Sequence, residues 1–126
     1  MIAVDSSALM AILLGEPKGE ACLAVCEEND LIMSSATLTE ALIVSIKRGC
    51  DADLVGLIEA ARIDIQPHTA ELAYASGEAY RQWGKGRHPA KLNYGDCCAY
   101  ALAKTRDCPL LFIGNDFSQT DIVTAL

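Results

Sequence analysis

The sequence predicts an α/β fold with a parallel sheet covered on both faces, and three observations carry that expectation. Short apolar runs (Ile2-Ala3-Val4, Leu31-Ile32-Met33, Ile63-Asp64-Ile65 and Leu110-Leu111-Phe112-Ile113) alternate with longer segments whose apolar residues recur at helical spacing. Just over half of the 126 residues are apolar, enough for a sizeable core and too many for a disordered chain. No glycine-rich loop follows the first run; Asp5-Ser6-Ser7 stands there instead, which weighs against a nucleotide-binding variant. No repeat, linker or low-complexity tract interrupts the chain, so residues 1–126 read as a single domain.

Ile2-Ala3-Val4 reads as a buried strand stopped by Asp5-Ser6-Ser7, a helix cap, with Ala8 to Leu14 as the helix. Gly15-Glu16-Pro17 breaks it, and a second helix follows from Lys18 to Asn29 with Ala21, Leu23, Ala24 and Val25 as its apolar side. After the strand Leu31-Ile32-Met33, Ser34-Ser35-Ala36-Thr37 leads into a helix to Arg48, ended by Gly49. Asp51 or Asp53 starts the next helix, with Leu54, Val55, Leu57 and Ile58 at helical spacing. Ile63-Asp64-Ile65 alternates and stops at Pro67; Thr69 opens a helix carrying Leu72, Ala73, Ala75 and Ala79 to about Trp83-Gly84. Asn93 and Gly95 bring turn chemistry before an alanine-rich helix through Ala103, and Leu110-Leu111-Phe112-Ile113 is the clearest strand. Gly114-Asn115-Asp116-Phe117 is a turn, and Asp121-Ile122-Val123 has room for one short edge strand.

Six cysteines without a secretory leader predict reduced thiols packed as small core residues. Cys22 and Cys26 lie one helical turn apart, but no second pair stands at zinc-ligand spacing, and Cys97-Cys98 diverge on a helix. Asp5 interrupts the apolar start, and no run approaches the roughly 20 residues that span a bilayer. These features predict a soluble cytoplasmic protein with no membrane contact.

The net charge of −7 argues against nucleic acid as a partner, yet its distribution does not. From Ala79 to Gly95 there is no acid, and Arg81, Lys85, Arg87 and Lys91, four of the ten Lys/Arg residues, fall there with His88. This segment is either an electrostatic footprint for phosphate or a solvated loop.

In a parallel sheet, residues just after strands and at the starts of following helices gather along one edge, where ligands bind. Asp5 and Asp116 follow strands, while Glu40 and Asp96 are expected in the first turns of their helices. Each has an ordinary alternative: Asp5 as a cap, Thr37/Glu40 and Asn93/Asp96 as capping pairs, Asn115-Asp116 as a turn. Together they would repel unless a cation is shared, and oxygen-only ligands favour Mg²⁺ or Mn²⁺. Such an ion activates water and stabilises charge on a phosphate, so the acids and the basic segment converge on metal-dependent phosphodiester hydrolysis. A phosphomonoesterase is a weaker match, since Asp5-Ser6-Ser7 lacks the second acid of an Asp-x-Asp nucleophile motif.

Met1-Ile2-Ala3-Val4-Asp5-Ser6-Ser7-Ala8-Leu9 resembles the opening of a PIN domain, in particular of a VapC-type toxin ribonuclease. Leu92-Asn93-Tyr94-Gly95-Asp96-Cys97, with Ala99 to Ala103, is similar to that family's third-acid motif. Pro109 to Phe117, followed by Thr120-Asp121-Ile122, resembles its last motif, and the three in order cover essentially the whole chain. The resemblance implies a three-layer α/β/α PIN-like domain with a short central parallel sheet, and Mg²⁺- or Mn²⁺-dependent RNA cleavage. It places Asp5, Glu40, Asp96 and Asp116 as the acidic quartet, with Asp5 and Asp96 as metal ligands. Glu40 and Asp116 then complete the shell through water or orient the attacking water, and Asp121 is a nearby substitute for Asp116. Arg81, Lys85, Arg87 and His88 would engage the RNA backbone, and Ser6 either caps a helix or bonds a carboxylate. The resemblance further implies a homodimer and a cognate antitoxin protein whose tail reaches the site. Surplus apolar positions on two helices (Leu23, Val25, Leu54, Val55, Leu57, Ile58) agree with such surfaces. The alternative is a PIN fold that has kept protein binding and lost catalysis.

Overall fold

The computed structural model describes residues Met1–Leu126 and builds them around a four-stranded, all-parallel sheet. The elements run β1 (Ile2–Val4), α1 (Ser6–Leu13), α2 (Gly19–Glu28), β2 (Leu31–Ser34), α3 (Ser35–Lys47), α4 (Asp51–Ala60), β3 (Asp64–Gln66), α5 (Ala70–Trp83), α6 (Tyr94–Thr105) and β4 (Leu110–Leu111). A 3₁₀ turn, Phe117–Gln119, follows. The spatial order β3-β2-β1-β4 puts the first strand in the interior, with Ala3 opposite Ile32 on one side and Leu110 on the other.

Alternation along the strands divides the core into two layers. Ala3, Ile32 and Leu110 face α5 and α6 and pack with Leu72, Ala79, Tyr100 and Leu102. Ile2, Val4, Leu31 and Met33 face the other way, against Leu9, Cys22, Ala41 and Leu54 of α1 to α4. This is the three-layer α/β/α arrangement that the sequence motifs imply. α6 is buried along nearly its whole length, from Gly95 to Ala103, and its alanines let the helix backbone lie close to the sheet.

Several boundaries move from their expected places. β4 pairs over Leu110–Leu111 only, because the chain then leaves the sheet and the Ile113 N–H turns to Ser7 Oγ at 3.0 Å. The tail contributes one isolated parallel bridge, Leu110 with Thr124, and no full strand. α2 buries Cys22 and Cys26 and leaves Ala21 and Ala24 exposed, so its core side is the cysteine stripe. All six cysteines are free; Cys22, Cys26, Cys97 and Cys98 are buried. Of the apolar positions expected in surplus on α2 and α4, Leu54 is fully buried and Val55 exposed. Larger exposed apolar groups sit on α3 (Ile43, Ile46) and at Tyr74 and Tyr94. No helix is long and apolar enough to cross a membrane.

Candidate active site

Asp5 leaves β1 and caps α1, accepting hydrogen bonds from Ser7 N at 3.1 Å and Ser7 Oγ at 2.6 Å through Oδ2. The same Ser7 Oγ receives the Ile113 N–H, so one hydroxyl ties the ends of β1 and β4 together. Ser7, in the sequence only one member of the Asp5-Ser6-Ser7 cap, is thus the residue that orients Asp5; a serine two residues beyond a strand-ending aspartate is the local signal for that turn. Asp5 is 3% exposed, and its other oxygen, Oδ1, is buried without any hydrogen-bond partner.

Glu40 lies in the second turn of α3, not the first. Ser34 caps this helix by accepting from Ala36 N at 3.1 Å, so it starts at Ser35, and Thr37 has no capping role. Ser6 Oγ donates to Glu40 Oε1 at 2.7 Å, which assigns Ser6 to holding a carboxylate while Asp5 does the capping. The Glu40 carboxylate rests against Gly95, where any side chain would collide with it.

Asp96 occupies the third position of α6 in a complete capping box. Asn93 Oδ1 accepts from Asp96 N at 2.9 Å, and Asp96 Oδ2 accepts from Asn93 N at 3.0 Å. The cap does not exhaust Asp96, since its charge is felt by Asp5. Asp116 is exposed in the turn after β4, and its charge bears on Asp96. Asp121 is engaged elsewhere, by Tyr100 Oη at 2.5 Å and Lys104 Nζ at 3.1 Å.

Burial pushes the Asp5 carboxyl up to about 7; the two Ser7 bonds oppose this, and Asp96 and Glu40 add to it. Asp96 rises to about 6, again chiefly by burial, with the Asn93 bond opposing and the charges of Asp116 and Glu40 reinforcing. The N-termini of α1 and α6 adjoin this cluster and favour negative charge there, but weakly.

The donors fit a hard divalent cation. All are carboxylate oxygens, and Asp5 Oδ1 is a buried acceptor lacking a donor. No three His, Cys, Asp or Glu side chains converge tightly enough to cage an ion by themselves. One or two carboxylates with retained water is the usual binding mode for Mg²⁺, so the looser arrangement suits it.

The basic segment folds against the start of α6. Gly84 and Leu92 pair as an isolated bridge, and Asn93 then caps the helix bearing Asp96. A cleft of about 450 Å³ is lined by Tyr80, Arg81, Lys85 and Arg87 with Gly77 and Gly86. His88 is used locally: its Nδ1 accepts from Ala90 N at 3.0 Å, and its ring packs edge-on against Trp83 at 4.8 Å. A larger cleft of about 750 Å³ lies at the opposite edge of the sheet, near Met1, Leu31 and Asp64, and includes none of the four acids.

Residues 2–123 match the PIN domain model. Ribonuclease VapC30 of Mycobacterium tuberculosis is 43% identical over 127 residues, covering 96% of this chain and 95% of the relative. Ribonuclease VapC of Mycolicibacterium smegmatis is 43% identical over 125 residues, covering 94% and 95%. Among solved structures, M. tuberculosis VapC20, a sarcin–ricin loop cleaving toxin, superposes with a TM-score of 0.76 at 18% identity, covering 98% of this chain and 97% of that one. A chain of a toxin–antitoxin complex from Klebsiella pneumoniae gives 0.75 at 16% identity, covering 99% and 97%. With its fold, its motifs and its relatives in agreement, the chain belongs to the PIN-domain family and, within it, to the VapC ribonucleases.

Proposed function

We propose that this VapC-type endoribonuclease hydrolyses RNA phosphodiester bonds with Mg²⁺ or Mn²⁺ at the edge where Asp5, Glu40, Asp96 and Asp116 gather. The observation that carries the reading is the buried, unpartnered Oδ1 of Asp5 within a set of mutually repelling carboxylates. Asp5 and Asp96 would hold the cation, which when bound supplies an activated water and neutralises charge developing on the phosphate. Ser7 and Asn93 orient these two carboxylates, and Ser6 orients Glu40. Glu40 and Asp116 would position the attacking water. Arg81, Lys85 and Arg87 would hold the RNA backbone beside a pocket that otherwise repels it, contacts that position the strand without reading its sequence.

The protein would act in the cytoplasm as a homodimer silenced by a cognate antitoxin. Exposed Ile43 and Ile46 on α3, with Tyr74 and Tyr94, support an interface. A basic side chain from the antitoxin would pair with the quartet in place of the cation.

The test compares RNA cleavage by the wild type and Asp96→Asn in Mg²⁺ or Mn²⁺ and in EDTA. Asparagine keeps an oxygen for the Asn93 N–H, so the cap survives while the charge is lost. Cleavage abolished by the substitution and by EDTA is expected; undiminished, EDTA-resistant cleavage by the mutant would sink the metal mechanism.

A further inference from the structure

Around Tyr100 of α6, three polar side chains from distant parts of the chain meet in a row. Trp83 Nε1–H donates to Tyr100 Oη at 3.0 Å, and Tyr100 O–H donates to Asp121 Oδ1 at 2.5 Å. Lys104, one helical turn beyond Tyr100, closes the row on Asp121 Oδ2 at 3.1 Å. The direction is fixed by chemistry. Indole can only donate and an ionised carboxylate can only accept, so the phenol must take from one and give to the other. Burial pushes the Tyr100 phenol up to about 12, while its hydrogen bond holds Asp121 below the usual carboxylate range. Tyr100 is therefore the neutral donor of a charge-assisted bond, and it is 6% exposed.

One end of this row braces the basic loop, and the other lies in the segment that follows Asp116. Trp83 closes α5 and anchors the basic loop, accepting from Leu92 N at 3.1 Å and carrying the His88 ring. That loop is braced by other bonds too: Tyr80 Oη to Lys85 O at 2.8 Å and Arg87 Nε to Arg81 O at 3.0 Å. Asp121 lies just beyond the turn that begins with Asp116. The Asp116 side chain does not cap that turn, which closes through Thr120 N to Phe117 O at 3.0 Å. The Asp116 turn has local bonds as well, Ser118 Oγ to Asn115 O at 2.6 Å and Thr120 Oγ1 to Phe117 O at 2.7 Å, and buried Phe117 packs on Phe112; what ties its far end to α6 through side-chain hydrogen bonds is Asp121, held by Tyr100 and Lys104.

We propose that Tyr100 is a positioning residue, its hydroxyl setting the Asp116 turn in register with the basic loop, so that strand binding and the fourth acid share one buried reference point. This rests on the ribonuclease reading above for its effect on turnover, though not for the join itself.

The test is Tyr100→Phe, which deletes the hydroxyl and keeps the ring, assayed well below its melting temperature. Turnover is expected to fall about tenfold, as for a modest misplacement of a reacting group, with KM nearly unchanged. Combined with Asp116→Asn, it should add little further loss, because both act through one carboxylate. Asp121→Asn, which still accepts from the phenol, should retain most turnover, whereas Asp121→Ala should behave like Tyr100→Phe. A bond that only stabilises the fold would lower the melting temperature and leave turnover intact, which overturns the proposal; so does a turnover loss that recurs in full on top of Asp116→Asn. Hydrogen exchange supplies an arm independent of catalysis: amides from 116 to 121 should exchange faster in Tyr100→Phe. Unchanged exchange there overturns the join, whereas a wild-type protein that leaves RNA intact overturns the ribonuclease reading alone.

Discussion

Gly95 and Glu40 share one space: the glutamate carboxylate occupies the volume that a Cβ at residue 95 would need. Gly95 is buried in the first turn of α6, and its backbone is ordinary helix, so the need there is for room and not for an unusual φ. Gly95→Ala should therefore favour the helix by propensity while driving Glu40 off its bond with Ser6. RNA cleavage is expected to fall on the order of 100-fold, the scale of an ångström-sized misplacement at a reacting centre. Wild-type turnover in Gly95→Ala would show that the position of Glu40 is immaterial.

Asp5 makes the metal-free protein sensitive to pH. Its carboxyl is raised to about 7 from 3.8, so between those values the folded chain holds a proton that the unfolded chain has released. Stability should accordingly fall as pH rises from about 4 to 7, by at most on the order of 4 kcal/mol from this group, then level off. Asp96, raised to about 6, acts in the same direction. A bound cation offsets the repulsion, so Mn²⁺ should raise the melting temperature more at pH 8 than at pH 5. Asp5→Asn should flatten the pH profile and shrink the Mn²⁺ shift; melting curves of the two proteins with and without metal decide it.

Neutralising Arg81, Lys85 and Arg87 together should weaken RNA binding and flatten its salt dependence. For single strands the log–log slope changes by about 0.7 per phosphate contact, or about 2 for all three. The fold should survive, since these side chains are exposed, the Arg81–Glu78 pair is a solvated surface contact, and the loop keeps its Tyr80–Lys85 and Trp83–Leu92 bonds when the Arg87 Nε bond to Arg81 O is lost. Titrations at several salt concentrations test this. An unchanged slope would make the segment a solvated loop and nothing more.

Light scattering is expected to give the mass of a dimer. A charged substitution at Ile46, far out on the exposed face of α3, should then yield monomers without lowering helix content. A basic-tailed antitoxin should bind the wild type more tightly than Asp5→Asn or Asp96→Asn. Equal affinity for all three would place its contact away from the carboxylates, and a strictly monomeric wild type would remove the interface.

The sequence by itself determined the order of strands and helices, the parallel sheet and the start of α6. Those features rest on local physics: apolar runs too short for helices, and an Asn93/Asp96 pair whose two hydrogen bonds close within three residues. Motif order also singled out Asp5, Glu40, Asp96 and Asp116 as residues that a parallel sheet would bring to one edge. Tertiary structure decided what local rules leave degenerate. Ser34, Ser35 and Thr37 are all competent caps, and the pairing of Ser34 with Gln66 across the sheet ends β2 where Ser34 must cap, which carries Glu40 into the second turn. Asp121 stands in sequence as a nearby substitute for Asp116, and only the fold brings Tyr100 and Lys104 of α6 onto its carboxylate. β4 reads as four residues because apolar character continues through Ile113, yet Ser7 draws the Ile113 N–H out of the ladder. Each of these outcomes is a hydrogen bond between residues far apart in the chain, and such a bond exists only once packing has removed the competing partner, water.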